Sequence, residues 1–471
     1  MVFRRIFPFV LLVFAAACTL ENNPPQTSAT TSGSYTLPRE IEREVGPAYA
    51  SPGLQSLVSR VGQKLVASSA LPGSYHFYVL DQPVPNAHAM ASGYVFVTRG
   101  LLALMNDEAE LAAAMGHELG HIVRKHAAQR EQARKGVLDS AVDAALKSGS
   151  MTVGRSVARE GLLQLRRYSR DQELEADRVG MGYLTRAGYR GDAMITLIDK
   201  LRRQSRLEDE LMGESGGAGE AGDRTALSTH PAPDERLAAL HTMGPVLTPG
   251  ESNRAGYLKA IDGMSVDDAP EEGFVRGSSF LHPTMQLAFE LPRDFRLFND
   301  HDGVVGVGRD RSMMFFSCKT GKVPGRLDDW MRNELKPTPI DIQETEIGGA
   351  EAAIGARPRG SDTGVGQVRY VIIRHDEGIC YFNLLAEGPD RDRRIDALVN
   401  ATRSFRHLSM AEAATLQPYH LQVVPTAGSS AAALAARLPY TDFKMDRLLT
   451  LNGVDNGAEL LKQPEAKIVS P

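Results

Sequence analysis

One pentapeptide constrains the fold more than any other feature of this chain: His117-Glu-Leu-Gly-His121. It lies in a proline-free stretch from Asp107 to Val123, and Asp107 with Glu110 is suited to cap the start of a helix. Each helical residue turns by ~100°, which places His117 and His121 on one line, roughly 140° from the centre of an apolar stripe. The two imidazoles can therefore bind one ion while the opposite face of the helix packs. The stripe consists of Leu111, Met115, Leu119 and Ile122.

This spacing is typical of a zinc site in which Glu118 reaches a water molecule without binding the metal. A catalytic zinc ion needs a third protein ligand and an open position. The chain does not have the extended motif His-Glu-x-x-His-x-x-Gly-x-x-His, in which the last histidine is the third ligand. Arg124 stands at the position of the glycine and Ala127 at the position of the last histidine. Continuing the helix turns His126 toward the apolar stripe, which predicts a packing or capping role.

The third ligand is predicted on a second helix. Ser169 and Gln172 resemble a capping box that opens this helix, and Gly188 is a natural end after Ala187.

The faces of that helix separate its carboxylates. Glu173 and Asp177 are four residues apart and share a face, whereas Glu175 points some ~160° away from Glu173. This geometry favours Glu173 as the ligand and Asp177 as its neighbour that orients a ligating group. Glu175 is predicted to lie in solvent.

The paired motifs, His117-Glu-x-x-His121 and Glu173-x-x-Ala-Asp177, resemble the CAAX prenyl protease and HtpX family of zinc metallopeptidases, which are gluzincins. The chain is most similar to the soluble periplasmic, BepA/LoiP-like lipoprotein branch, over about Ile41 to Leu240. The resemblance implies a mainly helical, zincin-like domain with a small sheet. It also implies one Zn²⁺ per chain and Glu118 as the general base.

Two further stretches resemble that family. The first implies an edge strand where a peptide substrate adds by main-chain hydrogen bonds, and it includes Asn86, Gly93, Tyr94, Val95 and Phe96.

The second stretch, Ser228 to Pro231 followed by Arg236, resembles the segment whose histidine approaches the zinc. The resemblance implies two roles for His230, either stabilising the oxyanion or occupying the open position as a latch. Arg236 belongs to the same matching segment, and the resemblance implies that it supports the site together with Asp177, behind the metal ligands. The preceding glycine-rich run, Gly213 to Asp223, is predicted to be a linker or lid.

The amino terminus predicts export. Arg4 and Arg5 precede an apolar run, Ile6 to Ala17, which has the length of a signal-peptide core. The small residues before Cys18 resemble a lipoprotein cleavage site, and a plain secretory signal is the alternative. We therefore expect a signal peptide at 1–17, then a lipidated, flexible tether at 18–38, and a location in the bacterial periplasm at the outer membrane.

Composition narrows the function classes. The chain has 471 residues, enough for several domains, and a net charge of −5 argues against a nucleic-acid partner. Three cysteines cannot supply a disulfide framework or a four-thiolate zinc site. Any metal must therefore use histidine and carboxylate ligands, and we expect the metallopeptidase domain at 39–260.

A second domain with an α/β character is predicted at 274–408, where short β-type runs alternate with a few helices. It loosely resembles the Mog1/PsbP-like fold. Cys318 and Cys380 fall in two of its strands and are either a disulfide pair or two buried thiols.

The last segment, 417–471, resembles a small βααβ LysM module, and peptidoglycan is therefore a candidate partner. Ala427 to Ser430 replaces the usual Gly-Asp-Thr of that module.

Together the expected fold is α+β and multidomain. The expected function is zinc-dependent endoproteolysis of misfolded or stalled envelope proteins, with membrane attachment through the lipid. The alternatives are a largely latent protease acting as a chaperone-like assembly factor, a peptidoglycan-associated binding protein, and a peptidoglycan hydrolase.

Overall fold

The structure is a computed structural model that describes residues 36–148, 150–212, 230, 233–242, 248–300, 303–308, 312–357, 367–376 and 378–471. The predicted signal peptide, the lipidated Cys18, most of the tether and the glycine-rich loop lie outside the described residues. Within the described part of the chain, every helix is too short or too polar to be a candidate membrane span.

Helices and several sheets occur together, in agreement with the predicted α+β, multidomain class. The described residues group into two compact units. The larger unit lies within 36–210, 230–267 and 419–471, and the middle unit lies within 211–212 and 268–418.

The larger unit begins with a mainly helical region. Its elements are α1 (Arg39–Val45), α2 (Pro52–Ser68), β1 (His76–Leu80), β2 (Ala87–Ala89), β3 (Tyr94–Thr98), α3 (Arg99–Leu104), α4 (Glu108–Val123), α5 (His126–Ser148), α6 (Met151–Arg186), α7 (Ala193–Met212), α8 (Pro233–Thr242) and α9 (Arg254–Ile261). The strands form a sheet in the order β1-β3-β2, with β3 parallel to β1 and antiparallel to β2.

Helix α4 begins as predicted. Asp107 is its N-cap, and its Oδ1 accepts a hydrogen bond from Glu110 N at 2.9 Å. Glu110 Oε2 accepts from Asn106 N at 2.7 Å, one residue earlier than a capping box requires. Leu111, Met115 and Leu119 of the predicted stripe are fully buried in the core of the larger unit, so the apolar face holds α4 in place.

Helix α6 differs from the prediction at its start. It extends back to Met151, so Ser169 and Gln172 lie inside the helix and do not cap it. Its end agrees with the prediction, because the helix stops at Arg186 and Gly188 follows with a φ of +82°.

The middle unit is built on strands. Their bounds are β4 (Phe274–Arg276), β5 (Ser279–His282), β6 (Leu287–Glu290), β7 (Phe295–Asp300), β8 (Gly303–Gly308), β9 (Met313–Lys319), β10 (Ile340–Ile347), β11 (Ala350–Ala356), β12 (Gln367–His375), β13 (Gly378–Ala386) and β14 (Arg406–His407). One seven-stranded sheet has the order β10-β11-β12-β13-β9-β8-β7, and a second has the order β14-β6-β5-β4.

Three helices complete this unit: α10 (Leu327–Glu334), α11 (Arg391–Thr402) and α12 (Met410–Thr415). Cys318 and Cys380 are directly opposite each other on β9 and β13 and form a disulfide bond. Of the two alternatives left open by the sequence, the structure has the bonded one.

The carboxy-terminal segment packs within the larger unit. It contains β15 (His420–Pro425), α13 (Ala431–Ala436), α14 (Lys444–Asn452), α15 (Gly457–Leu460) and β16 (Glu465–Ser470), and its two strands pair antiparallel. This order agrees with the predicted strand-helix-helix-strand pattern, with one further short helix. The LysM assignment itself stays a prediction.

Candidate metal centre

Helices α4 and α6 bring the three predicted ligands together. His117 Nε2 lies 3.0 Å from His121 Nε2 and 3.3 Å from Glu173 Oε2. His121 Nε2 lies 3.4 Å from Glu173 Oε1. All three side chains are buried, so the cluster is a closely packed set of two imidazoles and one carboxylate.

Small residues make this approach possible. Gly180 on α6 faces α4 at close range. A Cβ atom at this position would lie 2.7 Å from the backbone nitrogen of His117. Gly120 on α4 is confined less severely, since its Cβ would lie 3.1 Å from the Ala176 carbonyl oxygen. The two helices can therefore cross closely enough for Glu173 to reach both histidines.

The donor set fits a zinc ion. Glu173 Oε1 is buried and has no hydrogen-bond partner among the described residues, a costly state for a carboxylate oxygen that a cation would relieve. Ligand atoms of His117, His121, Glu173 and His230 all lie within 4.8 Å of one another. Two imidazoles with a carboxylate are a common zinc ligand set in proteins.

The charges in the cluster oppose the effect of burial. Burial by itself raises the pKa of Glu173, but the nearby His230, His117 and His121 lower it well below its ordinary value. The carboxylate is therefore ionised and ready to bind a cation.

The two histidines of α4 differ in their surroundings. Burial opposes protonation of His117, but hydrogen bonds to Asp177 and Glu173 outweigh it and raise the pKa to about 9. Burial lowers the pKa of His121 to about 4.

Asp177 and Arg236 support His117, as expected for residues that orient a ligand. His117 Nδ1 lies 2.8 Å from Asp177 Oδ1. Arg236 donates to both oxygens of Asp177, from Nε at 2.7 Å and from Nη2 at 2.6 Å. Burial alone would raise the pKa of Asp177, but Arg236 lowers it, so the bidentate pair keeps the carboxylate charged and fixes the ring.

Glu118 lies beside the ligands, where the helical geometry predicts it. Its side chain is buried, and His230, His121 and His117 lower its pKa despite the opposing effect of burial. An ionised carboxylate next to a metal site can accept a proton from water.

His230 lies within the cluster, although it is distant from the other residues in sequence. Its Nδ1 is 2.9 Å from Glu173 Oε2 and 3.2 Å from His117 Nε2. Its Nε2 is 3.3 Å from both Glu118 Oε1 and the Ala87 carbonyl oxygen. The ring therefore contacts the predicted ligands, the predicted base and the neighbouring strand at the same time.

The predicted edge strand is wrong for Tyr94, Val95 and Phe96. These residues lie on β3, which is hydrogen-bonded on both sides because β1 pairs with one edge and β2 with the other. The outer strand next to the metal cluster is β2, which directly follows Asn86.

Gly93 lies in the turn between β2 and β3, with a φ of +95°. A Cβ there would lie 2.3 Å from the Ser74 carbonyl oxygen, so this position requires glycine.

Sequence reasoning missed the roles of His126 and Glu175. His126 is fully buried, and its Nδ1 lies 2.9 Å from Nδ1 of His121 rather than on the apolar stripe. Glu175 Oε2 is 3.3 Å from His126 Nε2, so its side chain is not simply solvated. The contact depends on the end of α4 at Val123, for which the sequence carries no clear signal.

Comparisons with known proteins agree with this site. Residues 52–244 match peptidase family M48. The chain is 30% identical over 206 residues to the beta-barrel assembly-enhancing protease of Yersinia pestis, covering 42% of this chain and 40% of that protein. It is 28% identical over 239 residues to the protein of the same name from Escherichia coli (strain K12), covering 48% and 44%.

A third relative is the mitochondrial metalloendopeptidase OMA1 of Schizosaccharomyces pombe, with 29% identity over 210 residues, covering 43% of this chain and 57% of that protein. The chain spans about half the length of the bacterial relatives named here, or less.

Among solved structures, cyanobacterial PsbP (CyanoP) from Synechocystis sp. PCC 6803 aligns with 27% of this chain and 91% of that chain, at 13% identity and a TM-score of 0.23. A likeness of this size assigns no fold, so the Mog1/PsbP-like fold of the middle unit stays a prediction.

The matched residues contain the whole cluster, from His117 on α4 to Arg236 on α8. The family match, the metalloendopeptidase relatives and the zinc-type ligand set lead to one conclusion. Residues 52–244 match peptidase family M48 and contain a ligand set that fits a zinc metalloprotease.

Proposed function

We propose that this protein is a zinc-dependent metalloendopeptidase of the bacterial cell envelope that hydrolyses misfolded or stalled envelope proteins. The observation that carries the proposal is the buried cluster of His117, His121 and Glu173, with Glu118 beside it. The bacterial relatives are named for β-barrel assembly, which supports outer-membrane proteins as the substrate class. The sequence around Cys18 supports attachment to the outer membrane through a lipid.

The protein's own residues would share the chemistry as follows. His117, His121 and Glu173 would hold a zinc ion, which would supply Lewis acidity. Glu118 takes a proton from the attacking water and passes it to the leaving amine as the peptide bond breaks. Asp177 keeps the ring of His117 in one orientation throughout.

Strand β2 provides a place for the substrate. Because β2 is the outer strand of its sheet, an extended peptide can add beside it by main-chain hydrogen bonds. A peptide bound there would have its scissile bond next to the cluster, since the Ala87 carbonyl oxygen lies 3.3 Å from His230 Nε2.

An apolar pocket beside His117 and Glu118 would receive one substrate side chain. A peptide residue with an aliphatic or aromatic side chain fits such a lining. The apolar side chains of the lining are Ala87, Leu101, Ala114, Met194, Leu197, Ile198 and Leu201.

Of the two roles implied for His230, we favour the latch. Its Nδ1 approaches Glu173 Oε2 and His117 Nε2, which places it where a fourth ligand would lie. A catalytic zinc site keeps one position open, whereas a fourth protein ligand closes it. His230 also occupies the Ala87 carbonyl oxygen, which a bound peptide would need.

The decisive experiment compares proteolysis by the wild type and Glu118→Gln. Glutamine keeps the size of the side chain but cannot accept the proton, so we expect cleavage to fall by at least about 100-fold while zinc content is unchanged. The measurement is the rate of cleavage of an unfolded outer-membrane β-barrel protein. Equal cleavage by this variant would overturn the role of Glu118.

The latch predicts the opposite effect for His230→Ala. Removing the ring opens the fourth position and frees the Ala87 carbonyl oxygen, so we expect faster cleavage than by the wild type. The oxyanion role predicts slower cleavage instead, so the sign of the change in rate decides between the two.

The latch also favours one alternative function, a largely latent protease that binds unfolded envelope proteins as an assembly factor. Binding of the unfolded substrate by the wild type, with cleavage absent even in His230→Ala, would support this alternative over the enzyme.

A further inference from the structure

The proposed zinc ligand His121 has a second ring nitrogen, Nδ1, which faces away from the cluster and contacts residues outside the zinc-binding motif. We propose that His126 and Glu175 are positioning residues that fix the ring of His121 for zinc through a directed chain of two hydrogen bonds. This inference rests on the metal site of the proposed function and goes beyond its ligands.

The orientation of His121 sets the direction of the chain. Its Nε2 faces His117 Nε2 at 3.0 Å and Glu173 Oε1 at 3.4 Å, so Nε2 is the ligand atom. The other ring nitrogen, Nδ1, therefore points away from the cluster. It lies 2.9 Å from His126 Nδ1, and His126 Nε2 lies 3.3 Å from Glu175 Oε2.

The protons along this chain follow from the chemistry of imidazole. A histidine that binds a metal through Nε2 carries its hydrogen on Nδ1, so His121 must donate. His126 Nδ1 must then accept, which leaves the hydrogen of His126 on Nε2. That Nε2–H donates to Glu175, so each donor along the chain has one acceptor.

The backbone places His126 behind His121. Helix α4 ends at Val123, Lys125 adopts a φ of +56°, and α5 starts at His126. This break directs the imidazole back toward the last turn of α4, where it is fully buried. A continuous helix would have turned it toward the apolar stripe.

Glu175 is itself held in place. Arg124 Nε lies 3.0 Å from Glu175 Oε1, the oxygen that does not face His126. Glu175 is only partly buried, with 43% of its side chain exposed, so it can be replaced without opening the core. The two zinc-ligand histidines therefore have different supports: Asp177 with Arg236 behind His117, and His126 with Glu175 behind His121.

The test measures the zinc dissociation constant of the full chain by competition with a chromogenic chelator. Loss of a group that orients a ligand costs ~10- to 100-fold in metal affinity, so we expect about tenfold weaker binding for Glu175→Ala and a larger loss for His126→Phe. Glu175→Gln still offers an oxygen to His126 and is expected to bind zinc within about threefold of the wild type.

Arg124→Ala is the matched control. It removes the other contact of Glu175 but leaves the His126 contact, and an exposed pair of this kind contributes little, so we expect a change of less than about threefold. Thermal unfolding of each variant in the presence of a chelator checks that the metal-free fold is intact.

A double variant separates positioning from general stability. If Glu175 acts only through His126, Glu175→Ala adds nothing to the loss in His126→Phe, because coupled residues are not additive. Additive losses, or unchanged zinc affinity in Glu175→Ala, would overturn the proposal. Wild-type protein that binds no zinc would instead defeat the metal site itself, so the two failures are distinguishable.

Discussion

Two buried polar groups in the larger unit, Lys467 and Glu173, satisfy their hydrogen bonds differently. Lys467 Nζ donates to the carbonyl oxygens of Ala103, Leu104 and Met105 at 2.6, 3.0 and 2.7 Å. All three ammonium hydrogens thus have acceptors at the end of α3, where a helix favours positive charge. Glu173 is equally buried, yet its Oε1 has no hydrogen-bond partner among the described residues.

The difference separates structural from functional burial. A buried group whose hydrogen bonds are all made within the protein contributes to the fold, and Lys467 ties the carboxy-terminal segment to α3. A buried carboxylate oxygen without a hydrogen-bond partner costs free energy of folding, which indicates that it binds a ligand such as a cation. Replacing residues around Lys467 should therefore change stability, and replacing residues around Glu173 should change zinc binding and catalysis.

The largest effect is expected for Gly180→Val. Its Cβ would lie 2.7 Å from His117 N, which forces α4 and α6 apart and separates Glu173 from the histidines. A misplacement of about 1 Å in an active site can cost ~100-fold in rate, and we expect a loss of that order in peptide cleavage.

Gly182→Val on the same helix is the control, because a Cβ there meets only the end of the Arg186 side chain at 3.4 Å. Cleavage rates and zinc content of the two variants test whether close packing of α4 against α6 at Gly180 positions Glu173. Equal activity in the two variants would contradict this explanation.

A smaller effect, on stability alone, is expected for Lys467→Met. Methionine fills the space but leaves three carbonyl oxygens without this donor, at a cost of about 2 to 5 kcal/mol in the free energy of unfolding. Urea denaturation measures the change, and Lys462→Met, at an exposed position in the same segment, is the control. Weaker zinc binding by the folded Lys467→Met protein would contradict the separation of roles.

Much of the site follows from helical periodicity. The four-residue spacing of His117 and His121, and of Glu173 and Asp177, determines which side chains share a face, and the structure brings these faces together. The mixed fold class and the presence of many short strands in the middle unit followed from patterning in the same way, but the order of those strands in the sheets did not. Glycines such as Gly180 allow the close packing of α4 and α6, but only the structure shows which atoms lie against them.

The failures came from the limits of helices and sheets. His126 was misplaced because the sequence does not reveal that α4 ends at Val123, so the assumed direction of its ring was wrong. Tyr94 was placed on an edge because the pattern within one strand does not show whether one or both of its sides are paired, and β1 and β2 pair with the two sides of β3. His230 was expected near the metal only from the family resemblance, because local patterning does not determine the path of the chain that brings it to the cluster.

The most direct test of the account is the zinc content of the purified full chain, measured for the wild type and Glu173→Gln. Glutamine keeps the shape of the side chain but replaces the charged carboxylate, a usual zinc ligand, by a neutral amide that binds zinc much more weakly. We expect about one zinc per chain in the wild type and little in the variant, with both proteins folded. Equal zinc content in the two proteins, or none in the wild type, would contradict the assignment of this cluster as the metal centre.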